Sequence, residues 1–428
     1  MTKMLVQLQL SNYDKDGTFI LEADSGFQMM FGRIREMMKL NSSLKFDILI
    51  PCRDQLRTQP EDIVPDLFKF DRINLIEIHI LPNALATRYD FDFFQIEKSL
   101  DLKNSSHQKY DIVYINDPML FRNYKALFYM NGYLPKFIVH SHFIDNPSCP
   151  KFPKEASLWL GQCEAALGAD YNFWQCESAM KVFLEEFANL HRGEATDFVE
   201  SKSSPWDDGY SREEITSDYN LDNVRFTVED FLQKTKNKVI IFVPNRIGGK
   251  GRSSDYTNCG KFMFEILPQL YKASHEYVVI AGNPSQKFSN DELVQECGPH
   301  GFINLVPDAL NRDEFKFIAK HSDIAVGFYD ADAYGGTAAR ECVELGCLPF
   351  WLDVYEYKRL AKEAKLESTV LVSPIWDRVP VCLANMIDFV QENEAAKKTY
   401  VNTLREIIRK NCSYEETTPK AMKIMGLL

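Results

Sequence analysis

The chain has 428 residues, of which 45% are hydrophobic and 26% charged, with 30 phenylalanines and 19 tyrosines. This composition excludes a disordered chain and predicts a folded protein of two domains. The formal net charge of −12 argues against a surface devoted to nucleic acid, while a local basic groove is compatible with it. The 10 cysteines are dispersed without a Cys-x2-Cys pair, so neither a zinc site nor a disulfide framework is expected.

Membrane and secretion signals are absent from the sequence pattern. No apolar run approaches the roughly 20 residues that a bilayer crossing needs, and the first residues lack the apolar core of a signal peptide. We therefore expect a cytoplasmic protein without a membrane partner.

The first half of the chain alternates short apolar strands with amphipathic helices. Strands are predicted at 5–10, 46–51, 73–81, 110–115, 136–142 and 169–174, and helices at 26–40, 155–168 and 178–190. Near-continuous apolar runs such as 111–115 suit a parallel sheet that is covered on both faces. The pattern predicts a doubly wound α/β domain over residues 1–192 and an irregular, polar linker over 193–236.

The second half repeats the pattern from residue 237. Strands are predicted at 239–242, 277–284, 302–306, 323–328 and 348–352, and helices at 259–271, 312–320, 337–345 and about 385–410. These elements predict a second α/β domain over residues 237–410. The last segment, 411–428, is expected to pack back on the first domain as a helix.

The most informative motif follows the first strand of the second domain. Residues 243–251 read Val-Pro-Asn-Arg-Ile-Gly-Gly-Lys-Gly. Arg246 and Lys250 supply two cations, and Gly248 and Gly249 let the backbone N–H groups beside Asn245 approach a ligand closely, which suits a diphosphate. The alternative is a solvated loop that carries two surface cations.

A second group of residues is predicted at the same edge of the sheet, because ligands of doubly wound sheets bind beyond the carboxyl ends of the strands. Its members are Gly282, Tyr334, Gly335, Gly336, Thr337 and Glu341. A Gly-Gly-Thr helix start offers N–H groups to a phosphate, and an ionised Glu341 can accept hydrogen bonds from two ribose hydroxyls. Glu344, one turn later, is the rival carboxylate. Together these features predict a nucleotide-sugar site.

Two histidines form a further candidate. His140 and His142 alternate on the predicted strand 136–142, so both face the same side of the sheet. The alternative is a pair of buried, hydrogen-bonded structural histidines. A metal site would need a third ligand, and no Asp-x-Asp pair is placed to supply one, so no metal is expected.

The ordered set in the second half resembles the donor domain of retaining glycosyltransferases of the GT-B type. The set consists of Asn245-Arg246, Lys250-Gly251, Ala281-Gly282-Asn-Pro284 and Glu341-x4-Gly346. The resemblance implies two Rossmann-like doubly wound domains that face each other across a cleft, with a UDP-sugar as donor substrate, no tightly bound cofactor and no required metal. It also implies that Arg246 and Lys250 hold the diphosphate and Glu341 the ribose. The family's usual Glu-x7-Glu pattern is incomplete, because its first position is Ala333 here.

Four shorter phrases resemble the DNA-modifying α-glucosyltransferases and arabinosyltransferases of T-even-type phages. They are residues 136–142, 169–173, 181–187 and 344–351. The resemblance implies transfer of glucose or arabinose to 5-hydroxymethylcytosine in double-stranded DNA in the host cytoplasm. Under it, His140 and His142 orient a substrate, and Arg33, Arg35 and Lys39 contact DNA phosphates, although a solvated helix face explains these cations equally well. The alternatives are a glycan- or lipid-linked acceptor and a non-catalytic nucleotide-sugar-binding protein.

Overall fold

The chain forms two compact units in the computed structural model. The structure describes residues 2–10, 16–79, 93–104, 109–142, 156–191, 193–247, 259–273, 276–284, 290–306, 310–328 and 336–428. Unit 1 comprises Met1–Gly209 and Tyr414–Leu428, and unit 2 comprises Tyr210–Ser413. Each unit has its own β-sheet and its own hydrophobic core.

Unit 1 is built on seven parallel strands. They are β1 (Thr2–Gln7), β2 (Leu44–Pro51), β3 (Ile73–Ile78), β4 (Ile112–Ile115), β5 (Lys136–Ser141), β6 (Tyr171–Trp174) and β7 (Ser203–Pro205). The strand order is β3-β2-β1-β4-β5-β6-β7. The order reverses between β1 and β4, which makes that position the topological switch point where ligands of such sheets bind.

Helices cover this sheet. They are α1 (Ser25–Leu40), α2 (Pro60–Ile63), α3 (Phe93–Ser99), α4 (Phe121–Met130), α5 (Ala156–Gly168), α6 (Glu177–Leu190) and α7 (Glu194–Ser201). The first of them begins where the Asp24 side chain accepts a hydrogen bond from the backbone N–H of Phe27 at 3.0 Å, a favourable N-cap. Its apolar stripe, which includes Met30, Ile34 and Met37, is buried in the core of unit 1.

Unit 2 repeats the topology with six parallel strands. Its helices before the sheet are α8 (Arg212–Thr216) and α9 (Val228–Thr235), and its strands are β8 (Val239–Ile247), β9 (Tyr277–Pro284), β10 (Phe302–Ile303), β11 (Ile324–Gly327), β12 (Leu348–Leu352) and β13 (Leu371–Val372). The strand order is β10-β9-β8-β11-β12-β13. The switch point therefore lies between β8 and β11.

The remaining helices of unit 2 connect these strands and end the unit. They are α10 (Cys259–Lys261), α11 (Leu267–Ala273), α12 (Asn290–Cys297), α13 (Arg312–His321), α14 (Thr337–Leu345), α15 (Tyr355–Ala364), α16 (Glu367–Val370), α17 (Val379–Glu392) and α18 (Glu394–Cys412). Helix α14 ends at Gly346, whose φ of 115° is a left-handed conformation that favours glycine. The next strand, β12, can therefore begin two residues later.

The C-terminal helix α19 (Tyr414–Met425) belongs to unit 1 and packs against α1. The ring of Tyr414 lies so close to Gly32 that a side chain there would collide with it. Asn41 Nδ2 donates a hydrogen bond to the carbonyl of Leu427 at 2.8 Å, and Met422 is part of the unit 1 core. These contacts hold α19 against α1 within unit 1.

Two of the differences from the sequence analysis concern the expected linker and the last helix of unit 2. The segment 193–236, expected as an irregular linker, contains α7, β7, α8 and α9, and the division between the units falls after Gly209. The Ser-Ser-Pro sequence of β7 gives no apolar signal, and this strand joins β6 through backbone pairing and a 2.6 Å hydrogen bond between the hydroxyls of Tyr171 and Ser204. The single helix expected at 385–410 is two helices, α17 and α18, which meet at Asn393 with a non-helical ψ of 54°.

Within the described ranges, no helix has the length and apolar character that a membrane crossing requires.

Candidate functional site

The predicted donor residues in unit 2 are only partly described. Gly248, Gly249, Lys250, Tyr334 and Gly335 lie outside the described residues. The backbone of Arg246 is described, and it pairs with Asn283 in the ladder between β8 and β9. These positions therefore stay predictions.

The end of β8 is irregular beside the switch point. The register between β8 and β9 shifts between Val243 and Arg246, so Pro244 and Asn245 lie outside the regular ladder. Proline cannot donate to a ladder, and bulges of this kind are over-represented next to functional sites. Asn245 is buried there. The predicted diphosphate loop thus leaves the sheet from a strand end that is already distorted.

Gly282 has a packing role in the structure. A Cβ at this position would lie 3.2 Å from the Phe242 ring and 3.3 Å from Pro244 Cα. The Gly282 carbonyl accepts a hydrogen bond from the N–H of Leu310 at 3.0 Å. This glycine allows β8 and β9 to approach each other and fixes the start of the segment that leads to α13.

The start of α14 is held by α15. Tyr357 Oη accepts a hydrogen bond from the Gly336 N–H at 3.1 Å and lies 3.3 Å from the Gly336 carbonyl oxygen. The Tyr357 ring stacks on Trp351 with centroids 4.3 Å apart. Thr337 is the first residue of the helix. The Gly-Thr entry predicted to face a phosphate is therefore anchored by an aromatic pair that the sequence analysis did not identify.

Glu341 lies in the second turn of α14 as one end of an ion-pair chain. Arg312 Nη1 and Nη2 donate to its two carboxylate oxygens at 3.0 and 2.7 Å, and Arg312 Nε donates to Glu214 Oε1 at 3.0 Å. The Glu341 side chain is 9% exposed and that of Arg312 41%. Arg312 and Glu214 were missed, because pairing between separate helices leaves no spacing signal in the sequence.

Glu344, the rival carboxylate, is structural. Its side chain is wholly buried, Arg409 donates to both of its oxygens, and the Tyr210 hydroxyl donates to Oε2 at 2.9 Å. Burial and the neighbouring Glu344 raise the pKa of Tyr210 above its usual range, so this phenol stays neutral and donates. Of the two carboxylates, that of Glu341 is the one that keeps some exposure, at 9%, and its ligand role stays a prediction.

In unit 1, β5 brings His140 and His142 together on one face. Their ring centroids are 4.5 Å apart, and His140 Nδ1 lies 3.4 Å from His142 Nε2. Burial, together with the charge of Arg33 and the proximity of His142, lowers the pKa of His140 well below its usual value. His140 is completely buried and His142 is 8% exposed. Of the two rings, His142 is therefore the one within reach of a ligand.

Two polar side chains set the orientation of the His142 ring. Its Nδ1 lies 2.7 Å from Asp208 Oδ2, and its Nε2 lies 3.3 Å from Asn116 Oδ1. Asn116 follows β4 and donates through Nδ2 to the carbonyl of Gln7, at the end of β1, at 2.9 Å. The ring is thus tied to both strands of the unit 1 switch point. Asp208 lies in the segment that the sequence analysis assigned to a linker.

The prediction that Arg33 contacts a DNA phosphate is wrong. Its side chain is wholly buried, and Nη2 donates to the carbonyls of Trp206 and Asp207 at 2.6 and 2.8 Å and to Asp208 Oδ1 at 3.1 Å. Arg33 shares the apolar stripe of α1 with Met30 and Met37, so helical spacing could have placed it inside.

The other two cations of α1 lie nearer the surface and form ion pairs. Arg35 donates to both oxygens of Asp66 at 2.8 and 3.1 Å, and Lys39 donates to Glu36 at 2.8 Å. The structure therefore brings no group of unengaged cations together on α1 among the residues it describes.

His140, His142 and Asp208 also have the donor atoms of a metal site. One ligand atom from each lies within 4.8 Å of the others. However, Arg33 Nη2 lies 3.3 Å from His140 Nε2 and 3.1 Å from Asp208 Oδ1, so a fixed guanidinium already supplies the positive charge. The cluster is an Arg–Asp–His hydrogen-bond network.

No protein-family model and no curated protein sequence matches this chain. Solved structures do match it over essentially their whole length. A structure of HepE (Alr3699) from Anabaena with UDP-glucose has a TM-score of 0.63 at 12% identity and covers 100% of both chains. The α,α-trehalose-phosphate synthase (UDP-forming) of Burkholderia xenovorans, with glucose-6-phosphate, has a TM-score of 0.67 at 11% identity, covering 99% of this chain and 100% of the other. A glycosyltransferase from Rickettsia africae has a TM-score of 0.62 at 15% identity, covering 99% and 97%.

The chain has the GT-B fold. The two parallel α/β units and the full-length likeness to these structures confirm the fold class that the sequence predicted. Ligands of doubly wound sheets bind at the switch point of the strand order. Glu341 belongs to unit 2 and His142 to unit 1, so the two candidate groups are divided between the units.

Proposed function

We propose that the protein is a retaining GT-B glycosyltransferase that binds a UDP-sugar through unit 2. The observation that carries the proposal is the carboxyl edge of the unit 2 sheet. There β8 ends in Asn245-Arg246-Ile247, and α14 begins at Thr337 and carries Glu341 in its second turn. The UDP-glucose in the structure of HepE supports a UDP-sugar as the donor.

Each donor residue has a chemical role under this proposal. Arg246 and Lys250 neutralise the diphosphate, with the backbone at Gly248 and Gly249 close to it. Glu341 accepts hydrogen bonds from the ribose hydroxyls. These two cations supply the charge that a metal ion would otherwise provide, so the proposal requires no metal.

The chemical step exchanges one bond to the anomeric carbon for another. The bond from this carbon to the diphosphate oxygen breaks, the acceptor hydroxyl oxygen bonds on the same face, and its proton passes to the departing phosphate. Retention through front-face attack needs no carboxylate nucleophile, unlike the two-step route of retaining glycosidases. Arg246 and Lys250 stabilise the negative charge that develops on the leaving group.

His142 is the residue of unit 1 that we assign to a substrate hydroxyl. Asp208 and Asn116 hold its ring, and its side chain keeps 8% exposure where that of His140 is wholly buried. His140 then supports the network instead of touching substrate.

We further propose that the acceptor is 5-hydroxymethylcytosine in DNA, with glucose or arabinose as the transferred sugar. The support is the set of four sequence phrases, one of which, residues 136–142, spans β5 and the residue after it and carries both histidines. A base within a duplex would have to be flipped out to present its hydroxymethyl group. The buried Arg33 takes no part in this contact.

The test is mass spectrometry of nucleosides after the protein is incubated with 5-hydroxymethylcytosine-containing DNA, UDP-glucose and UDP-arabinose. A mass gain on the modified cytosine supports the DNA acceptor and identifies the transferred sugar. The NMR coupling constant of the anomeric proton in the product then reports whether the configuration is retained. UDP release without a mass gain overturns the DNA acceptor and directs the search to glycan and lipid-linked acceptors. Binding of UDP-sugar without turnover on any acceptor identifies a non-catalytic binding protein.

A further inference from the structure

Glu341, Arg312 and Glu214 form a carboxylate–guanidinium–carboxylate chain within unit 2. Arg312 bridges both oxygens of Glu341 through Nη1 and Nη2, while its Nε is held by Glu214. The three residues come from α14, α13 and α8 respectively. A side chain fixed from both ends in this way has little freedom to leave the carboxylate.

The backbone of Arg312 is equally constrained. It is the first residue of α13 and lies within a capping box formed by Asn311 and Glu314. The Asn311 side chain accepts from the Glu314 N–H at 3.0 Å, and the Glu314 side chain accepts from the Asn311 N–H at 2.9 Å. The guanidinium carbon lies 5.4 Å from the centre of the Phe315 ring. The position of the guanidinium is therefore set by the helix start as well as by the two carboxylates.

We propose that Arg312 is the positioning residue that makes Glu341 a selective acceptor for the ribose diol. This inference rests on the proposed function of Glu341. Each carboxylate oxygen has two lone pairs, and the bidentate contact with Arg312 uses one on each oxygen. The second lone pair on each oxygen then has a fixed direction and can accept from a hydroxyl.

The charges of the chain fit this role. Two carboxylates and one guanidinium leave a net charge of −1, so Glu341 remains an acceptor after pairing. A largely buried carboxylate without Arg312 would be an uncompensated charge, which favours rearrangement of the side chain toward water. Arg312 thus allows the charged carboxylate of Glu341, whose side chain is 9% exposed, to stay in one orientation.

The test compares the dissociation constants of UDP and 2′-deoxy-UDP by calorimetry. The ratio of the two constants reports the 2′-hydroxyl contact and is not changed by a uniform loss of affinity. We expect a ratio of roughly 10 to 100 for the wild type, because a hydrogen bond to a charged group is lost with the hydroxyl. We expect about 1 for Glu341→Ala, about 1 for Arg312→Gln, and an intermediate value for Arg312→Lys, which keeps the charge but cannot bridge both oxygens.

Arg225→Lys is the matched control. Arg225 binds both oxygens of Glu314 at 2.8 and 2.8 Å, so this variant also loses a bidentate Arg–Glu pair at the start of α13. The control should keep the wild-type ratio. Thermal unfolding of each variant checks that it is folded, and Arg312→Lys carries the test if Arg312→Gln does not fold.

The outcomes separate this inference from the function on which it rests. A wild-type ratio in the folded Arg312 variants, with a ratio near 1 in Glu341→Ala, overturns the role of Arg312 and keeps that of Glu341. A wild-type ratio in Glu341→Ala overturns the ribose contact itself, and the role of Arg312 with it. If Arg225→Lys lowers the ratio as much as Arg312→Gln does, then any disturbance at the start of α13 weakens the 2′-hydroxyl contact. That result also overturns the specific role of Arg312.

Discussion

Replacing Asp208 by Asn tests the buried network of unit 1 most sharply. Asp208 pairs with Arg33 at 3.1 Å and with His142 at 2.7 Å, and Arg33 is wholly buried. Asparagine keeps the size of the side chain and an oxygen that can accept from Arg33, so the substitution removes charge without removing volume. Removing one partner of a buried ion pair typically costs about 3–5 kcal/mol, because the other charge stays buried.

We expect the free energy of unfolding to fall by about 3 kcal/mol, at the lower end of that range. Asp208 is 20% exposed, and two backbone carbonyls still accept from Arg33 after the substitution. Asp66→Asn is the matched control, because its partner Arg35 lies on the same helix, α1, as Arg33. Asp66 pairs with Arg35 and is 51% exposed, so its loss should cost less than about 1 kcal/mol.

The assay is equilibrium unfolding in urea, followed by tryptophan fluorescence. Trp206 is a suitable probe, because its ring lies 4.4 Å from the Arg33 guanidinium. If Asp208→Asn loses no more stability than Asp66→Asn, then Asp208 does not balance the buried charge of Arg33. That result would contradict the Arg–Asp–His network described for unit 1.

Three further predictions concern pH, stability and catalysis. Burial and Arg33 keep the pKa of His140 in the folded protein well below 6.5. Below about pH 6.5, His140 therefore binds a proton in the unfolded chain but not in the folded protein. The wild type should therefore lose roughly 1.4 kcal/mol of stability per pH unit below 6.5 from this group, and His140→Gln should lack this loss in urea unfolding between pH 7 and 5. Glu344→Ala should lower the free energy of unfolding by roughly 1–3 kcal/mol, measured in urea, because it leaves the buried Tyr210 hydroxyl without its acceptor and the half-buried Arg409 without its carboxylate. Arg246→Ala and Lys250→Ala should keep the fold and lower kcat by roughly 10²- to 10³-fold, measured as UDP release with acceptor present.

Each of these predictions has an outcome that contradicts it. An identical pH slope in the wild type and His140→Gln would mean that His140 is protonated in the folded protein. A loss below 1 kcal/mol in Glu344→Ala would remove the structural role assigned to that residue. Near-normal kcat in both cation variants would overturn the assignment of the diphosphate loop.

The fold could be predicted because both sheets are parallel and buried. Their strands read as near-continuous apolar runs, and β12 and α14 were predicted with the bounds that the structure shows. The strand β7 escaped detection because its pairing with β6 is made by backbone groups and its side chains are polar. The boundary between the units was misplaced for the same reason.

The candidate site was predictable only where a motif follows one element. Glu341 follows a Gly-Thr helix start, so the sequence could propose it as a ligand-binding residue. Arg312 and Glu214 come from other helices and meet Glu341 only in the folded chain. Arg33 shows the opposite error, because a charged residue was assigned to the surface although its helical position faces the core. Burial of an arginine depends on acceptors such as the carbonyls of Trp206 and Asp207, which the sequence does not reveal.

Calorimetric titration of UDP into the wild-type protein and Glu341→Ala tests whether unit 2 holds a nucleotide-sugar donor site. We expect one site with a dissociation constant of roughly 1 μM–1 mM, the usual range for enzyme substrates, and a clear loss of affinity in Glu341→Ala. No binding heat with the wild type at millimolar UDP would contradict the proposed donor site and, with it, the glycosyltransferase function.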